Sequence, residues 1–408
     1  MKGGQDTEQK ENRQQIGDVA EILLNYFEKN TTYQTDKMMT IPAESYADLN
    51  QWRAEIDLIF KRVPLMLALS CEMPKPSDYK AMEVAGLPVL IVRDKAGTAR
   101  AFVNACAHRW APVAPEGYGR CTGFRFVCPF HGWTYGADGK LTGIADRAKF
   151  GDIERSSHGL RQLPCEERYG MIFACLTPET PMDLGAQYGA LLEEFSDLGM
   201  EKWTFVGSNV LEGPNWKLIL TNFFESYHFG VQHAKTVAAD FVSNLNHYEG
   251  FGPNMRIGFA KHGIAKLRDV PRSKWGRLEG PAFTFMRYLF PNVIGSMYLT
   301  DFCSAFAQIL PGPTPDKTRV VQLYLRQDSP KNDGERERFE AELQEMKRGS
   351  DQVLAGEDFT TGIATQRSLA SGAHKGLLYG RNERGPQYFH EWVNWYLRAD
   401  PNLPKPVM

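Results

Sequence analysis

The period of the apolar positions changes along the chain, and each change predicts a different kind of element. Ile16, Val19, Ile22, Leu23, Tyr26 and Phe27 recur at three- and four-residue steps, the spacing that places side chains on one face of an α-helix. A second helical stripe, Leu49, Trp52, Ile56, Ile59 and Phe60, stops before Pro64, whose ring and missing N–H end a helix. From Leu87 the texture is that of strands: Leu87-Pro-Val-Leu-Ile-Val-Arg and Ala101-Phe-Val-Asn flank the turn Asp94-Lys-Ala-Gly. Short β segments with frequent Gly and Pro continue to about Pro178, after which helical patterns return. Farther on, 282–296 is rich in Phe283, Phe285, Tyr288 and Phe290, strands are expected over 296–310 and 320–326 around a turn at Asp316-Lys317, and 387–397 reads as an amphipathic helix. Most of those aromatics are expected to be core.

This pattern predicts an α+β fold in three parts: an N-terminal extension over 1–45, a β-rich domain with a lead-in helix over 46–180, and a second domain over 181–408 in which antiparallel strands wrap on helices. A chain of 408 residues is long enough for two cores. A net charge of -2 argues against nucleic-acid and anionic-membrane partners. No apolar run reaches the length of a membrane span, and 1–15 is polar without a signal-like core. Seven cysteines, an odd number, suit a reducing compartment and thiols kept for metal or packing, so a cytoplasmic location is expected.

The β-rich part holds a Cys-x-His pair, Cys106 and His108, and a Cys-x-x-His pair, Cys128 and His131, within Cys128-Pro-Phe-His-Gly-Trp-Thr-Tyr. Two thiolates and two imidazoles at the tips of two loops suit a [2Fe-2S] cluster with Cys on one iron and His on the other, a ligand set that raises the reduction potential above that of an all-Cys cluster. The same four residues could serve zinc, although zinc modules more often place Cys-x-x-Cys on at least one loop. Gly132 and Gly136 allow close backbone approach, and Asp138-Gly139 signals a hairpin turn.

A second cluster of donors lies in 225–233, reading Glu-Ser-Tyr-His-Phe-Gly-Val-Gln-His. Imidazole ligates iron readily, and two His with one carboxylate, leaving open positions, is the arrangement of non-haem Fe(II) oxygenases. On a straight helix a five-residue step leaves His228 and His233 roughly 140° apart, so a π-like widening or a break is needed, which Gly230 would tolerate. Asn222, Glu225 and His228, three apart, would share a face of a regular helix. Read without context, one His could equally be a buried hydrogen-bonded residue and the other a surface one.

Taken together, Asn104-Ala-Cys-Ala-His-Arg, Cys128-Pro-Phe-His-Gly-Trp-Thr-Tyr, Asn215-Trp-Lys and Asn222-Phe-Phe-Glu-Ser-Tyr-His with His233 resemble the large (alpha) catalytic subunit of Rieske-type non-haem iron oxygenases, from about residue 46 to the C-terminus. The chain departs from the family in a long interval from His108 to Cys128 and in Trp110, where Gly commonly follows the His-Arg pair. The extra Cys121 within that interval is expected to be structural. The resemblance implies a Rieske [2Fe-2S] domain, a catalytic domain of helix-grip, START-like form, and one mononuclear Fe(II) per subunit. It implies that Asp358 is the third ligand beside His228 and His233, with Glu357 as its rival; either acid could instead be a helix N-terminal acid favoured by the dipole. It gives Glu225 a bridging task between His228 and His131 of a neighbouring subunit, in a ring most simply trimeric; the plainer alternative is an acid capping a turn. Asn222 is expected near the metal, and Phe224, Phe229 and Val231 along the substrate pocket.

With no flavin or dinucleotide fingerprint in the chain, electrons would come from a separate NAD(P)H-dependent reductase, directly or through a ferredoxin. The implied activity is O2-dependent hydroxylation or oxidative dealkylation of a small organic substrate. Aromatic-ring dihydroxylation is the alternative, and a Rieske electron carrier without oxygenase activity the reading from another class. The Glu-containing wording is similar to members acting on quaternary ammonium compounds, and aromatic walls could bind a methylammonium or stack an arene.

Overall fold

The computed structural model describes residues 2–196, 198–296, 303–327 and 330–408. Its contacts divide the chain into two units, one formed by Met1–Glu55, Gly185–Leu198 and Trp203–Met408, the other by Ile56–Leu184 and Gly199–Lys202.

The smaller unit is built on β-structure. Five antiparallel strands run in the order Gln162–Leu163, Ala99–Val103, Leu87–Arg93, Asp78–Val84, Gly117–Arg120. The Asp94 turn forms where the sequence placed it, because the Asp94 carboxylate accepts from the N–H groups of Ala96 and Thr98 at 2.9 and 3.0 Å. A three-stranded sheet of Arg125–Val127, Thr134–Gly136 and Leu141–Gly143 carries the second Cys/His loop. Gly139 turns its hairpin at φ +82, where a Cβ would lie 2.3 Å from the Phe102 ring, so glycine is required there. A core of Leu90, Val92, Phe102, Phe126, Trp133, Tyr135 and Leu141 fixes both sheets.

The larger unit is organised on a seven-stranded antiparallel sheet, ordered Thr204–Gly213, Thr318–Arg326, Cys303–Pro311, Val293–Ser296, Phe283–Leu289, Asn254–Lys261, Phe241–Phe251. Phe283, Phe285, Tyr288 and Phe290 are buried, as expected of core residues. The strand expected over 296–310 is found at Cys303–Pro311, and its positions 297–302 lie outside the described residues. Helix Trp216–Phe223 packs on strand Cys303–Pro311 and on helices Phe359–Ala370 and Arg384–Arg398. Asn215 caps it, its side chain accepting from Lys217 N–H at 2.9 Å. Behind it, the buried Lys217 ammonium meets the buried Glu55 carboxylate at 2.5 Å, and Trp216 donates to the other Glu55 oxygen at 2.7 Å.

The lead-in helix, expected with the β-rich domain, and the N-terminal residues both fall in the larger unit. Within 1–45, helix Lys2–Glu28 lays Val19, Ala20, Leu23 and Leu24 against the sheet at Leu245, Ala260 and Phe285, and strand Met39–Pro42 pairs with Gly376–Tyr379. The lead-in helix Leu49–Glu55 also belongs to the larger unit, because Glu55 is tied to Trp216 and Lys217. Among the described residues, no helix is long and apolar enough to cross a membrane.

Candidate metal centres

The loop after strand Ala99–Val103 is folded by Asn104. Its Oδ1 accepts from Val113 and Ala114 N–H at 3.0 and 3.1 Å, and its amide donates to Ala114 O at 2.8 Å. That clamp, with Trp110 N–H bonded to Cys106 O at 2.8 Å, presents Cys106 and His108 together. The second loop closes through Cys128 N–H to Trp133 O at 2.7 Å and Gly132 N–H to Cys128 O at 3.0 Å, with Gly132 at φ +68. Trp110 also takes a left-handed backbone, φ 63, which accounts for the glycine common at that place.

The two tips converge. The His108 and His131 rings lie 4.6 Å apart, and Trp133 stacks on His108 at 5.1 Å. Cys106 and Cys128 are buried free thiols. The Nδ1 atoms of His108 and His131 are buried with no hydrogen-bond partner among the described residues, a costly state that a metal at those nitrogens relieves. Burial, then His131 and Arg109, lower the His108 pKa from its usual value, which keeps the ring neutral and able to ligate. Tyr135 Oη lies 3.1 Å from Cys106 Sγ and accepts from Ala107 N–H at 2.9 Å. Two thiols and two unpartnered imidazole nitrogens fit a [2Fe-2S] cluster.

In the larger unit the chain breaks rather than widens before the histidine pair. Helix Trp216–Phe223 ends, and 224–236 runs as successive turns without helix. The expected shared helical face therefore holds for Asn222 alone, in the last helical turn, partly buried. Gly230 serves a close approach instead of a distortion: its N–H donates to Ser243 Oγ at 2.9 Å, and a Cβ would sit 3.0 Å from that oxygen. The turns bring the His228 and His233 rings to 5.0 Å.

Asp358 completes the group. Ligand atoms of His228, His233 and Asp358 lie within 4.8 Å of one another, with Asp358 Oδ1 at 3.1 Å from His233 Nε2 and 3.8 Å from His228 Nε2. The widening anticipated between the histidines occurs here, in the π-helical segment Asp351–Asp358, which continues into helix Phe359–Ala370. Asp358 and Glu357 are consequently interior to a continuous helical run and are not N-terminal acids.

Each imidazole has its other nitrogen held by a carboxylate. His228 Nδ1 bonds Glu225 Oε1, while Glu225 Oε2 accepts from the N–H groups of Tyr227 and His228; Glu225 thus caps the turn and orients the ring at once. His233 Nδ1 bonds Glu357 Oε2 at 2.5 Å. That link was missed from the sequence, where Glu357 figured only as a rival ligand. Burial lowers the His233 pKa, but Asp358 and then Glu357 outweigh it, and the net direction is upward; the acids are set to favour positive charge at this spot. Two imidazoles and one carboxylate on one side fit a mononuclear iron with open positions.

A cavity of about 440 Å³ reaches Val353 and Leu354 of the π-helical segment that carries Asp358 and is also lined by Phe223, Phe306, Tyr324 and Met346; none of the three ligand side chains lines it. None of the pocket residues expected from sequence lines this cavity, but Phe229 lies against the ligand histidines, its ring 5.0 Å from that of His228 and 5.7 Å from that of His233. Phe224 is fully buried against Tyr288 and Phe389, Val231 is 86% exposed, and Phe229 stacks on Phe259.

A β-rich unit carrying two Cys and two His donors, in one chain with a centre of two imidazoles and a carboxylate, defines a protein with two distinct iron sites. The comparisons name the class. Residues 63–163 match the Rieske [2Fe-2S] domain and residues 200–399 the ring hydroxylating alpha subunit (catalytic domain), and the chain belongs to the Rieske-type non-haem iron oxygenase large (alpha) subunits. It is 29% identical to the glycine betaine monooxygenase oxygenase subunit of Chromohalobacter salexigens over 48% of this chain and 43% of that protein. It is 32% identical to the large oxygenase component of the 2,4-dinitrotoluene dioxygenase system of Burkholderia sp. over 48% and 44%. The chain spans about half the length of the curated relatives it matches. Among solved structures, the quaternary ammonium Rieske monooxygenase CntA with L-carnitine aligns at TM-score 0.73 and 21% identity over 88% of this chain and 95% of that one. Naphthalene 1,2-dioxygenase from Rhodococcus sp. with indole aligns at 0.70 and 19% over 94% and 98%. Both share the fold.

Proposed function

We propose that the chain is the oxygenase component of a multicomponent system that takes two electrons from a separate NAD(P)H-dependent reductase, directly or through a ferredoxin. With O2 and two protons, one oxygen atom enters a small organic substrate by hydroxylation or oxidative dealkylation, and the other leaves as water. The observation that carries this reading is the convergence of His228, His233 and Asp358, each imidazole backed by a carboxylate, in one chain with four cluster donors. An electron carrier without oxygenase activity would have no use for that second centre.

When bound, a [2Fe-2S] cluster relays single electrons, and a ferrous ion with open positions activates O2 beside the substrate. Cys106, His108, Cys128 and His131 hold the first group and His228, His233 and Asp358 the second. Glu225 fixes the His228 ring and, in a homotrimer, joins it to His131 of the partner subunit; a solved CntA structure is described as giving insight into inter-subunit electron transfer. Asn222 stands near the metal at the end of its helix. The free cysteines described fit a cytoplasmic setting.

The cavity favours an apolar substrate. Part of its polar lining is already engaged: Tyr324 donates to Gln322 at 3.1 Å, Gln322 donates to Ser350 at 2.7 Å, and Glu342 pairs with Arg326 at 3.0 Å, while Glu345 is exposed. Phe223, Phe306, Met346, Val353 and Leu354 are left to face a ligand. This supports a ring-sized hydrocarbon or N-alkyl arene over a small zwitterion, and on such a substrate dihydroxylation of the ring is the second reading. Oxygen uptake and product analysis with a surrogate reductase, across quaternary amines, aromatic acids and polycyclic arenes, test it. Turnover is expected on the arenes; coupled turnover confined to quaternary amines would refute the apolar assignment, and no coupled uptake on any class would refute the oxygenase reading.

A further inference from the structure

Glu357 and Asp358 are neighbours in sequence, yet they reach opposite nitrogens of one imidazole. Asp358 Oδ1 faces His233 Nε2 at 3.1 Å, and Glu357 Oε2 meets Nδ1 at 2.5 Å. Thr236 Oγ1 donates to the same Glu357 oxygen at 2.8 Å, and Thr236 N–H donates to His233 O at 3.0 Å. His233, Thr236 and Glu357 therefore form a closed ring of hydrogen bonds joining the turn to the distant π-helical segment, around an imidazole only 1% exposed. His228 takes its orienting acid from three residues away, whereas His233 takes its own from 124 residues along the chain.

We infer that Glu357, steadied by Thr236, is the residue that positions His233 in the mononuclear centre. It holds the His233 ring with Nδ1–H toward its own carboxylate and the Nε2 lone pair toward the ion shared with Asp358. The inference rests on the His228, His233 and Asp358 assignment and adds a residue outside it. A carboxylate on the far nitrogen of a ligating His orients the ring and raises its basicity, and losing such a partner typically costs about 10–100-fold in metal affinity.

The test is Fe(II) affinity of the mononuclear site in cluster-loaded, full-length protein, measured by competition with a chromogenic chelator. The EPR spectrum of the ferrous–nitric oxide adduct and the reduced-cluster EPR signal are recorded on the same samples. Glu357→Ala is expected to weaken Fe(II) about 10–100-fold and to change the nitric oxide adduct spectrum while the cluster signal stays intact. Glu357→Gln, which keeps an acceptor for Nδ1–H, is expected to restore most of the affinity, and Thr236→Val to fall between the two. Wild-type affinity and spectrum in Glu357→Ala would overturn the inference, as would equal loss in the Ala and Gln variants accompanied by loss of the cluster signal. The underlying site fails separately if wild-type protein binds no third iron or if Asp358→Ala keeps it.

Discussion

Replacing Lys217 by Met tests how the helix that leads into the histidine turns is anchored. Lys217 and Glu55 are 1% and 0% exposed, with Nζ and Oε1 2.5 Å apart. Burial pulls the Lys217 pKa down from its usual value, and Glu55 works against that shift. Met keeps the length of the apolar stem and removes the cation, so the cost is that of leaving one buried charge without its partner, about 3–5 kcal/mol. The lower end is expected, because Glu55 keeps the Trp216 Nε1 donor at 2.7 Å and the Gln51 Nε2 donor at 3.2 Å. Adding Glu55→Gln removes the stranded charge while retaining an acceptor for Trp216, so the double variant should regain about 1–3 kcal/mol, a coupling normal for groups in contact. Urea denaturation of the full-length protein, followed by tryptophan fluorescence, measures all three. A loss below about 1 kcal/mol in the single variant, or a double variant no more stable than it, would refute the reasoning, since the pair would then carry no uncompensated charge.

Three further predictions follow from the same geometry. His390 is buried, its Nε2 2.8 Å from Tyr46 Oη, and burial, then Lys217, depress its pKa to about 3. Only the unfolded chain binds that proton between about pH 6.5 and 3, so stability falls with pH there by up to about 1.4 kcal/mol per unit. The stability gap between wild type and His390→Gln should narrow on acidification from pH 7 to 4; a constant gap would contradict it. Tyr135→Phe removes the hydroxyl 3.1 Å from Cys106 Sγ and should lower the cluster potential on the order of 40–60 mV, the one-electron equivalent of a roughly 1–1.5 kcal/mol hydrogen bond; protein-film voltammetry reads it, and an unchanged potential would remove Tyr135 from the cluster's surroundings. Ala307→Phe, on the cavity wall, should raise KM for bicyclic substrates at least about tenfold while sparing one-ring ones, and equal KM for both would place the substrate elsewhere.

What could be read from the residues depended on how local each interaction was. The four cluster donors sit on two short loops, so Cys106-x-His108 and Cys128-x-x-His131 showed both their identity and their convergence. The histidine pair showed its chemistry but not its backbone. A five-residue step fits a regular helix poorly, and nothing in the apolar pattern reveals that the helix stops at Phe223 and gives way to turns. Asp358 was reachable only through family resemblance, because a partner 125 residues beyond His233 leaves no periodic trace. The π-helical turn of Asp351–Asp358 has no distinctive hydrophobic spacing, and the Glu357 to His233 link depends on it. The cavity was missed for a related reason: Phe224 and Val231 are neighbours of the ligands in sequence, yet one is packed in the core and the other points to solvent. Strands and helical segments distant in sequence supply the walls instead.

The most direct test of two iron centres in one chain is iron stoichiometry read together with the EPR spectrum of the reduced protein, for wild type and Asp358→Ala. The account predicts about three iron atoms per wild-type chain, two in the cluster and one mononuclear, and about two in the variant with the Rieske signal unchanged. Two iron atoms per wild-type chain, a colourless zinc-loaded protein, or a variant that keeps its third iron would contradict it.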